Sequence, residues 1–334
     1  MMFNALGASA GIGRSLAEDG TKGNALLSMG ATWVFSMISI DPGRGLSHAP
    51  VMDAPYYIHT INPVLIELWG PMAIRWYGLA YVAGFAATYA YLLRASRAGR
   101  LRLDAEGIQN LLFYIVVGVM LGGRIGYLLF YSPADWARDP LMLFKVWQGG
   151  MSSHGGFLGL ALAVWWFTRR RGLTFFHVAD ALACIGPLGI FFGRLANFVN
   201  GELWGRVTTV PWAVLFPQEA GLSPTREGVR ELVLRYYATG VIQPRHPSQL
   251  YAAAAEGLLL FGTLWLLRRT VWGRRESHMT AAFFLVYAVL RVGVECFREP
   301  EIVYGGWLTQ GQLLSLLLLV PVALILRLSS GRRT

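Results

Sequence analysis

Seven long apolar segments, separated by short polar stretches, constrain this chain more than any other feature of its sequence. A helix that crosses a bilayer needs about 20 mostly apolar residues. Hydrophobic residues make up 54% of the chain and charged residues only 14%, whereas soluble domains carry about 25% charged residues. The sequence therefore predicts an all-α polytopic membrane protein with seven transmembrane helices, over residues 72–93, 108–131, 154–168, 174–198, 248–267, 279–298 and 310–327.

The positions of the basic residues predict how these helices are oriented. The formal net charge is +10, but the arginines are grouped between apolar segments, which favours a lipid bilayer over nucleic acid as the partner. Such groups are typical of cytoplasmic loops. We therefore expect a cytoplasmic C-terminus and a first span that starts outside. The basic groups follow the first, third, fifth and last segments: Arg94, Arg97, Arg100 and Arg102; Arg169, Arg170 and Arg171; Arg268, Arg269, Arg274 and Arg275; Arg327, Arg332 and Arg333.

Two further segments lie outside the predicted spans. Residues 201–247, between the fourth and fifth spans, mix apolar and charged residues at helical period, as in TREGVRELVLRYYATG. This pattern predicts a small folded extracytoplasmic head. Residues 1–52 form an N-terminal extension that fits a signal peptide poorly, because it carries Glu18 and Asp19. Either this extension is disordered or translation starts at Met52, so that residues 53–334 make up the seven-span domain.

The densest group of polar residues is GRLANFVNGELWGR at 193–206, at the end of the fourth apolar segment. An ionisable residue near the centre of a membrane helix costs about 2.5–3.5 kcal/mol, so it indicates a functional site. Arg194 and Asn197 share a helix face. Gly201 and Gly205 allow the backbone to turn and to approach a ligand closely. We expect the chemistry here.

A histidine and a second polar stripe come from other segments. His154 lies in the glycine-rich GGMSSHGG at 149–156; it is either a structural group or, because histidine titrates near neutrality, a proton acceptor. Tyr287, Arg291, Glu295 and Arg298 follow each other at spacings of four, four and three, on one face of the sixth span. Arg291 and Glu295 could simply pair with each other, yet a buried ion pair need not stabilise a protein.

Of the remaining motifs, those with Arg124 and Tyr77 each leave two interpretations open. In GGRIGYLLFY at 122–131, Arg124 shares a face with two tyrosines; it either binds a ligand or belongs to a glycine packing seam with a snorkelling arginine. His246 in RHPSQLY is interpreted as structural. Tyr77 belongs to an aromatic belt or contacts a ligand. Cys184 and Cys296 are interpreted as small apolar residues, because neither has a histidine at helical spacing.

Together these motifs bring arginines from different helices, a histidine and a glutamate to the outer leaflet. The planar guanidinium binds phosphate through two hydrogen bonds, which explains a preference for arginine over lysine. The anionic group available at that depth is a phospholipid head group. The sequence alone thus predicts a phospholipid-binding site.

The same motifs resemble the prolipoprotein diacylglyceryl transferase family. Residues 193–205 match its signature Gly-Arg-x-(Gly or Ala)-Asn-Phe-(apolar)-Asn-x-Glu-x-x-Gly at every position. The resemblance extends from about residue 55 to the C-terminus, through IRWYG at 74–78, LGGRIGY at 121–127, GGMSSHGG at 149–156, RHPSQLY at 245–251 and RVGVECFREPE at 291–301.

The resemblance implies a bacterial inner-membrane enzyme without metal or cofactor. Its substrates would be phosphatidylglycerol and a prolipoprotein signal peptide with a lipobox cysteine, and its products a thioether-linked lipoprotein and glycerol phosphate. Glu202 and Glu295 would orient the arginines. The resemblance implies eight essential positions: Tyr77, His154, Arg194, Asn197, Glu202, Gly205, Arg291 and Glu295. From these positions and from the residues singled out above by their patterns, we expect His154, Arg194 and Arg291 to be catalytic. The expected substrate-binding residues are Tyr77, Arg124, Asn197, Glu202, Gly205, Tyr287, Glu295 and Arg298.

The chain departs from the family pattern at two positions, and two other function classes are possible. Relatives usually carry a glutamate where this chain has Ala252, and Glu256, one turn further on the same face, could substitute for it. Relatives often end the FREPE stretch in aspartate, where this chain has Glu301. A transporter or lipid flippase is the main alternative, but such proteins are commonly built from repeated halves, and the sequence shows no internal repeat. An intramembrane serine protease would need a Gly-x-Ser-Gly motif, which the sequence lacks.

Overall fold

The computed structural model describes residues 55–69, 72–145, 149–300 and 302–330. The extension 1–52, with the expected start at Met52, lies outside these residues. The described part is mostly helical. Its helices, in chain order, are α1 (Trp76–Arg97), α2 (Ala105–Phe130), α3 (Pro133–Arg138), α4 (Ser153–Arg170), α5 (Phe175–Asn200), α6 (Val229–Ala238), α7 (Ser248–Leu267), α8 (His278–Glu295), α9 (Gln310–Leu317) and α10 (Leu319–Ser330).

Each of the seven predicted apolar segments contains a helix. Among the residues that the structure describes, five helical segments are long and apolar enough to cross a membrane: Ala105–Phe130, Phe175–Asn200, Ser248–Leu267, His278–Glu295 and Gln310–Arg327. Helices α1 and α4 fall outside this group. The structure is therefore consistent with the predicted all-α membrane class.

The predicted start of the first span, at residue 72, is wrong by a few residues. Residues Met72–Arg75 form a strand that pairs antiparallel with Val64–Trp69, and the helix begins only at Trp76. Apolar residues alone do not distinguish the two states, because a short apolar run fits a strand as well as a helix. The described chain has two further two-stranded sheets: Tyr57–Ile58 with Val214–Leu215, and Val303–Tyr304 with Leu308–Thr309.

Helices α2 and α4 pack against each other through glycine. A Cβ added to Gly122 would lie 2.8 Å from the Cα of Gly159, and one added to Gly126 would lie 2.9 Å from the Cα of Gly155. Small residues allow such close contact between membrane helices, where dispersion and not water exclusion holds helices together. This seam accounts for Gly122 and Gly126 of the GGRIGY motif and fixes α4, whose first turn carries His154.

Helix α5 packs against α1, α4, α7 and α8. One apolar cluster joins α1, α2, α4 and α5 and includes Leu92, Ile108, Leu111, Phe167 and Val178. A second cluster joins α5, α7 and α8 and consists of Cys184, Leu260, Leu264, Met279 and Ala282. The helix that carries Arg194 and Asn197 is thus held on several sides.

Residues 201–247 and residues before α1 together form a small apolar core. Helix α6 lies within the stretch expected to be helical, and its Val229 and Val233 pack with Ile58, Leu215 and Ile242. Nearby, His59 is fully buried between the rings of Phe198 and Phe216. Burial lowers the pKa of the His59 imidazole below its ordinary value.

The three interhelical loops that carry basic groups meet at one end of the bundle. The backbone N–H of Arg102 donates to Nε2 of His177 at 2.9 Å, which joins the first of these loops to α5. The backbone N–H of Ser277 donates to the Asp180 carboxylate at 2.7 Å, which joins the third loop to α5 as well. Helix α5 runs from this end to Arg194 and Asn197 at the other, so the polar cluster lies opposite the basic loops.

Candidate active site

Three helices bring ionisable side chains together near the end of α5. Glu256 of α7 bridges two arginines: its Oε2 lies 3.2 Å from Nη2 of Arg194 on α5, and its Oε1 lies 3.2 Å from Nη1 of Arg291 on α8. Arg291 also pairs through Nη2 with Glu295 at 2.8 Å, and Glu295 lies 3.6 Å from Nε of Arg298. The cluster of Arg194, Glu256, Arg291, Glu295 and Arg298 is therefore one connected ion-pair network.

The network has one more positive than negative charge, since three arginines face two glutamates. Arg298 follows the end of α8, and its Nε lies 3.6 Å from the same Glu295 carboxylate that Arg291 contacts. The three cations of the network repel one another. A bound monoanion would relieve this repulsion, so the network has the electrostatics of an anion site.

The depth of the network follows from helix geometry. Arg194 lies six residues before the end of α5 at Asn200, which places its Cα about 9 Å inside the helix end. Arg291 lies four residues before the end of α8 at Glu295, or about 6 Å inside. Both arginines therefore lie within about two turns of the ends of their helices.

Backbone and hydroxyl groups hold Glu295 in place. Oγ1 of Thr309, which caps α9, donates to Oε1 of Glu295 at 3.1 Å. A Cβ on Gly311 would overlap the Glu295 carboxylate, so α9 can approach only because that residue is glycine. The start of α9 thereby supports Arg291 through its partner Glu295.

The end of α5 is closed by a second set of hydrogen bonds. Gly201 adopts φ 64°, the left-handed conformation that ends a helix and favours glycine. Nδ2 of Asn197 donates to Oε1 of Glu202 at 2.7 Å. The buried side chains of Ser248 and Gln249, from the RHPSQLY motif, donate to the carbonyls of Leu203 and Glu202 at 3.1 and 2.7 Å. That motif therefore supports the loop of the signature.

A cavity of about 1130 Å³ opens beside the network. Six of the predicted site residues line it: Tyr77, His154, Arg194, Asn197, Tyr287 and Arg291. The remaining walls are mostly apolar, with Phe157, Val164, Ile190, Phe284 and Leu314 among them. The cavity exceeds the roughly 300–1,000 Å³ of ordinary ligand sites. An amphipathic ligand with an anionic head and long apolar chains matches these walls.

The cavity also runs along the bundle. Phe175 and Phe176 at the first turn of α5, and Thr280 at the first turn of α8, line it together with Arg194 and Arg291 near the opposite ends of those helices. Because α5 has 26 residues, and each residue adds about 1.5 Å, the apolar wall extends over most of a bilayer's hydrocarbon thickness.

The other predicted site residues do not line the cavity, and among them only Glu295 and Glu202 form an ion pair or hydrogen bond with residues that do. Glu295 forms an ion pair with Arg291, as expected, and a second ion pair with Arg298. Glu202, which we expected to orient an arginine, instead accepts from Asn197. Gly205 lies against the backbone of Phe297 and His246, where a Cβ would overlap the Phe297 carbonyl. A backbone contact of this kind explains why glycine is needed at that position.

Arg124 lies apart from the network, in a site of its own. Its side chain is almost completely buried, with 1% of the residue exposed. The guanidinium donates five hydrogen bonds to backbone carbonyls of the loop before α4, namely those of Met142 (twice), Lys145, Gly149 and Gly150. The structure thus favours a loop-positioning role for Arg124 over contact with substrate.

Glu256 is the central residue that the sequence reasoning did not place among the site residues. The one signal was its position as the acidic residue of an otherwise apolar segment, where it could substitute for the glutamate missing at Ala252. Its side chain is fully buried and both of its oxygens are used. Its neighbours on α5 and α8 could not be read from the sequence of α7.

Similarity to known proteins extends over the part of the chain that carries these motifs. A family model described as prolipoprotein diacylglyceryl transferase matches residues 63–328. The chain is 45% identical over 278 residues to a protein of Xylella fastidiosa (strain M12), covering 79% of this chain and 91% of that protein. It is 43% identical over 283 residues to one of Stenotrophomonas maltophilia (strain R551-3), covering 83% and 94%. Both are named phosphatidylglycerol–prolipoprotein diacylglyceryl transferase.

Proposed function

The chain belongs to the prolipoprotein diacylglyceryl transferase family, and we propose that it transfers the diacylglyceryl group of phosphatidylglycerol to the lipobox cysteine of a prolipoprotein. The observation that carries this proposal is a cavity in which a polar end, with Arg194, Arg291 and His154, joins a long apolar wall. Phosphate fits the first part and acyl chains fit the second.

The reaction is an alkylation of sulfur. The thiolate forms a bond to the carbon of the diacylated glycerol that bears the phosphate. The bond between this carbon and the phosphate oxygen breaks, and both of its electrons leave on the oxygen. The products are a thioether and glycerol phosphate. A free thiol has a pKa of about 8.5, so most of it must first lose a proton near neutrality. The thiol proton passes to a base and then to water.

The residues of the cavity divide these tasks. Arg194 and Arg291 hold the phosphate and stabilise the negative charge that grows on it as it leaves. His154 accepts the thiol proton. Tyr77 and Asn197 donate hydrogen bonds to the head group, and Tyr287 lines the cavity beside Arg291. Gly205 fixes the signature loop.

The remaining acidic and basic residues act through these groups. Glu202 orients Asn197, while Glu295 and Arg298 hold Arg291 in position. His154 has an alternative role, because two nearby arginines could stabilise a thiolate without a base. The rate of the His154→Ala variant with preformed thiolate separates the two roles: a near-normal rate at high pH with a loss at lower pH supports the base, and an equal loss at every pH refutes it.

The two ends of the bundle support one orientation in the membrane. The basic loops after α1, α4 and α7 meet at one end, where Arg170 and Arg269 pack over Trp166 and Trp265. Aromatic and basic belts of this kind mark an interface, and basic loops face the cytoplasm. The proposed arrangement has seven spans in the bacterial inner membrane. The active site and the 201–247 head face outward, and the C-terminus is cytoplasmic.

The test is transfer by the purified full chain in phosphatidylglycerol vesicles with a lipobox peptide, followed by mass spectrometry. We expect the peptide to gain one diacylglyceryl group, and a peptide with serine in place of cysteine to gain nothing. Well-folded protein that leaves the peptide mass unchanged would refute the proposal. If labelled lipid then crossed the vesicle membrane chemically unaltered, the flippase alternative would gain support.

A further inference from the structure

Glu256 joins the two arginines that line the cavity, although its own side chain lies behind them. The exposed fraction of the Glu256 side chain is zero, against 19% for Arg194 and 14% for Arg291. Each carboxylate oxygen contacts one guanidinium nitrogen at 3.2 Å. Each contact uses a single nitrogen of each arginine, and Nη2 of Arg291 also pairs with Glu295. A guanidinium has five N–H donors, so each arginine has further donors that these ion pairs do not use.

A local irregularity of α7 places this carboxylate. Residues Ala253–Leu259 form a π-helical turn within an otherwise α-helical segment. An inserted π turn changes the direction in which side chains point and is common at functional sites. The next residue, Gly257, lies against α5: a Cβ there would be 2.9 Å from the Cα of Phe191. The π turn and this close approach bring Glu256 within reach of Arg194.

Electrostatics make Glu256 a strong positioning group. A buried carboxylate without a partner is unfavourable by several kcal/mol, so Glu256 and the two arginines hold one another. Without its charge, Arg194 and Arg291 would repel each other across the cavity wall and turn apart. Arg291 would keep its pair with Glu295 at 2.8 Å, but Arg194 has no second ion pair among the described residues.

From this geometry we propose that Glu256 is a positioning residue that sets the separation and orientation of Arg194 and Arg291 for the phosphate of the lipid. The proposal rests on the transferase function proposed above. Glu256 does not touch the substrate; it acts through the two arginines, and it keeps its place when lipid binds.

The experiment compares Glu256→Gln and Glu256→Asp with the wild-type chain. Glutamine keeps the shape and removes the charge, whereas aspartate keeps the charge and shortens the reach. The matched control is Glu219→Gln, which removes a partly buried ion pair with Arg245 (2.5 Å) in the 201–247 region. The readouts are kcat and KM for transfer, and the shift in melting temperature caused by phosphatidylglycerol compared with neutral diacylglycerol.

We expect kcat to fall at least tenfold in Glu256→Gln and less in Glu256→Asp, with the KM for the peptide unchanged. The extra thermal shift given by phosphatidylglycerol over diacylglycerol should shrink in the same order and persist in Glu219→Gln. A role only in folding would lower every melting temperature and leave that difference between lipids intact.

Two results would overturn the proposal: wild-type kcat in Glu256→Gln, or an unchanged difference between the two lipids. If the glutamine variant does not fold, wild-type kcat in Glu256→Asp overturns it instead. The lipid-dependent shift needs no turnover. A wild-type chain that fails to transfer, yet shows a shift that depends on Glu256, would refute the transferase function and not the positioning role.

Discussion

Replacing Arg124 by lysine should release the loop that precedes α4 without removing a positive charge. The guanidinium of Arg124 donates five hydrogen bonds to four carbonyls of residues 142–150. The lysine ammonium has three donors in a different geometry. At least two of the five hydrogen bonds are therefore lost in a position that is almost completely buried.

The magnitude follows from the number of contacts. A hydrogen bond that involves a charged group contributes about 1.5–3 kcal/mol, so the loss of two corresponds to about 3–6 kcal/mol. Relaxation of the loop toward water favours the lower end of that range. The same change should reduce kcat, because the loop leads directly into the helix turn that carries His154.

Thermal unfolding in detergent and transfer by mass spectrometry together measure this effect. The control is Arg138→Lys, an arginine of the same connection whose side chain is 83% exposed and lies 4.0 Å from Asp135; it should leave both quantities near wild type. An Arg124→Lys variant with unchanged melting temperature and a raised KM for phosphatidylglycerol would refute the loop-positioning role and restore the substrate-binding one.

Three further changes have defined outcomes. Arg291→Lys should lower kcat/KM for phosphatidylglycerol about 10- to 150-fold, which corresponds to the loss of one charge-assisted hydrogen bond of about 1.5–3 kcal/mol. The control is Arg235→Lys, at an exposed arginine. A kcat/KM of Arg291→Lys equal to that of the wild type would contradict the phosphate role. Gly159→Val should destabilise the α2–α4 seam by about 1–3 kcal/mol in thermal unfolding, whereas Gly262→Ala, where a Cβ meets nothing within 4 Å, should not. Because burial lowers the pKa of His59, the unfolded chain binds more protons below about pH 6.5, and the melting temperature should fall as the pH drops through and below that value. His59→Gln should flatten this pH dependence. An unaltered slope of melting temperature against pH would contradict the assignment of this dependence to His59.

The helices could be predicted from the sequence because each one depends on its own composition. A run of about 20 apolar residues has no stable state in a bilayer other than a helix, and helices occur at all seven predicted positions. The error at residues 72–75 arose where the apolar run was paired with another strand. There the state of the chain depended on a neighbour, which hydropathy does not describe.

The polar residues of the cavity could be predicted because ionisable groups are rare in such helices. Arg194, Arg291 and His154 were each conspicuous in their own segment, and the structure brings them to one cavity. Arg124 was equally conspicuous, yet its partners are backbone carbonyls, and no sequence pattern marks a carbonyl as an acceptor. Rarity thus identified the residues but not their partners.

The sequence by itself determined the helices, the positions of the basic loops and the family, since these follow from composition and from motifs that are contiguous in the chain. Only the tertiary structure decided which side chains meet. Glu256 reaches Arg194 and Arg291 through a π turn and a glycine contact between α7 and α5. Such a meeting depends on the rotation and depth of three helices, and packing between helices sets both.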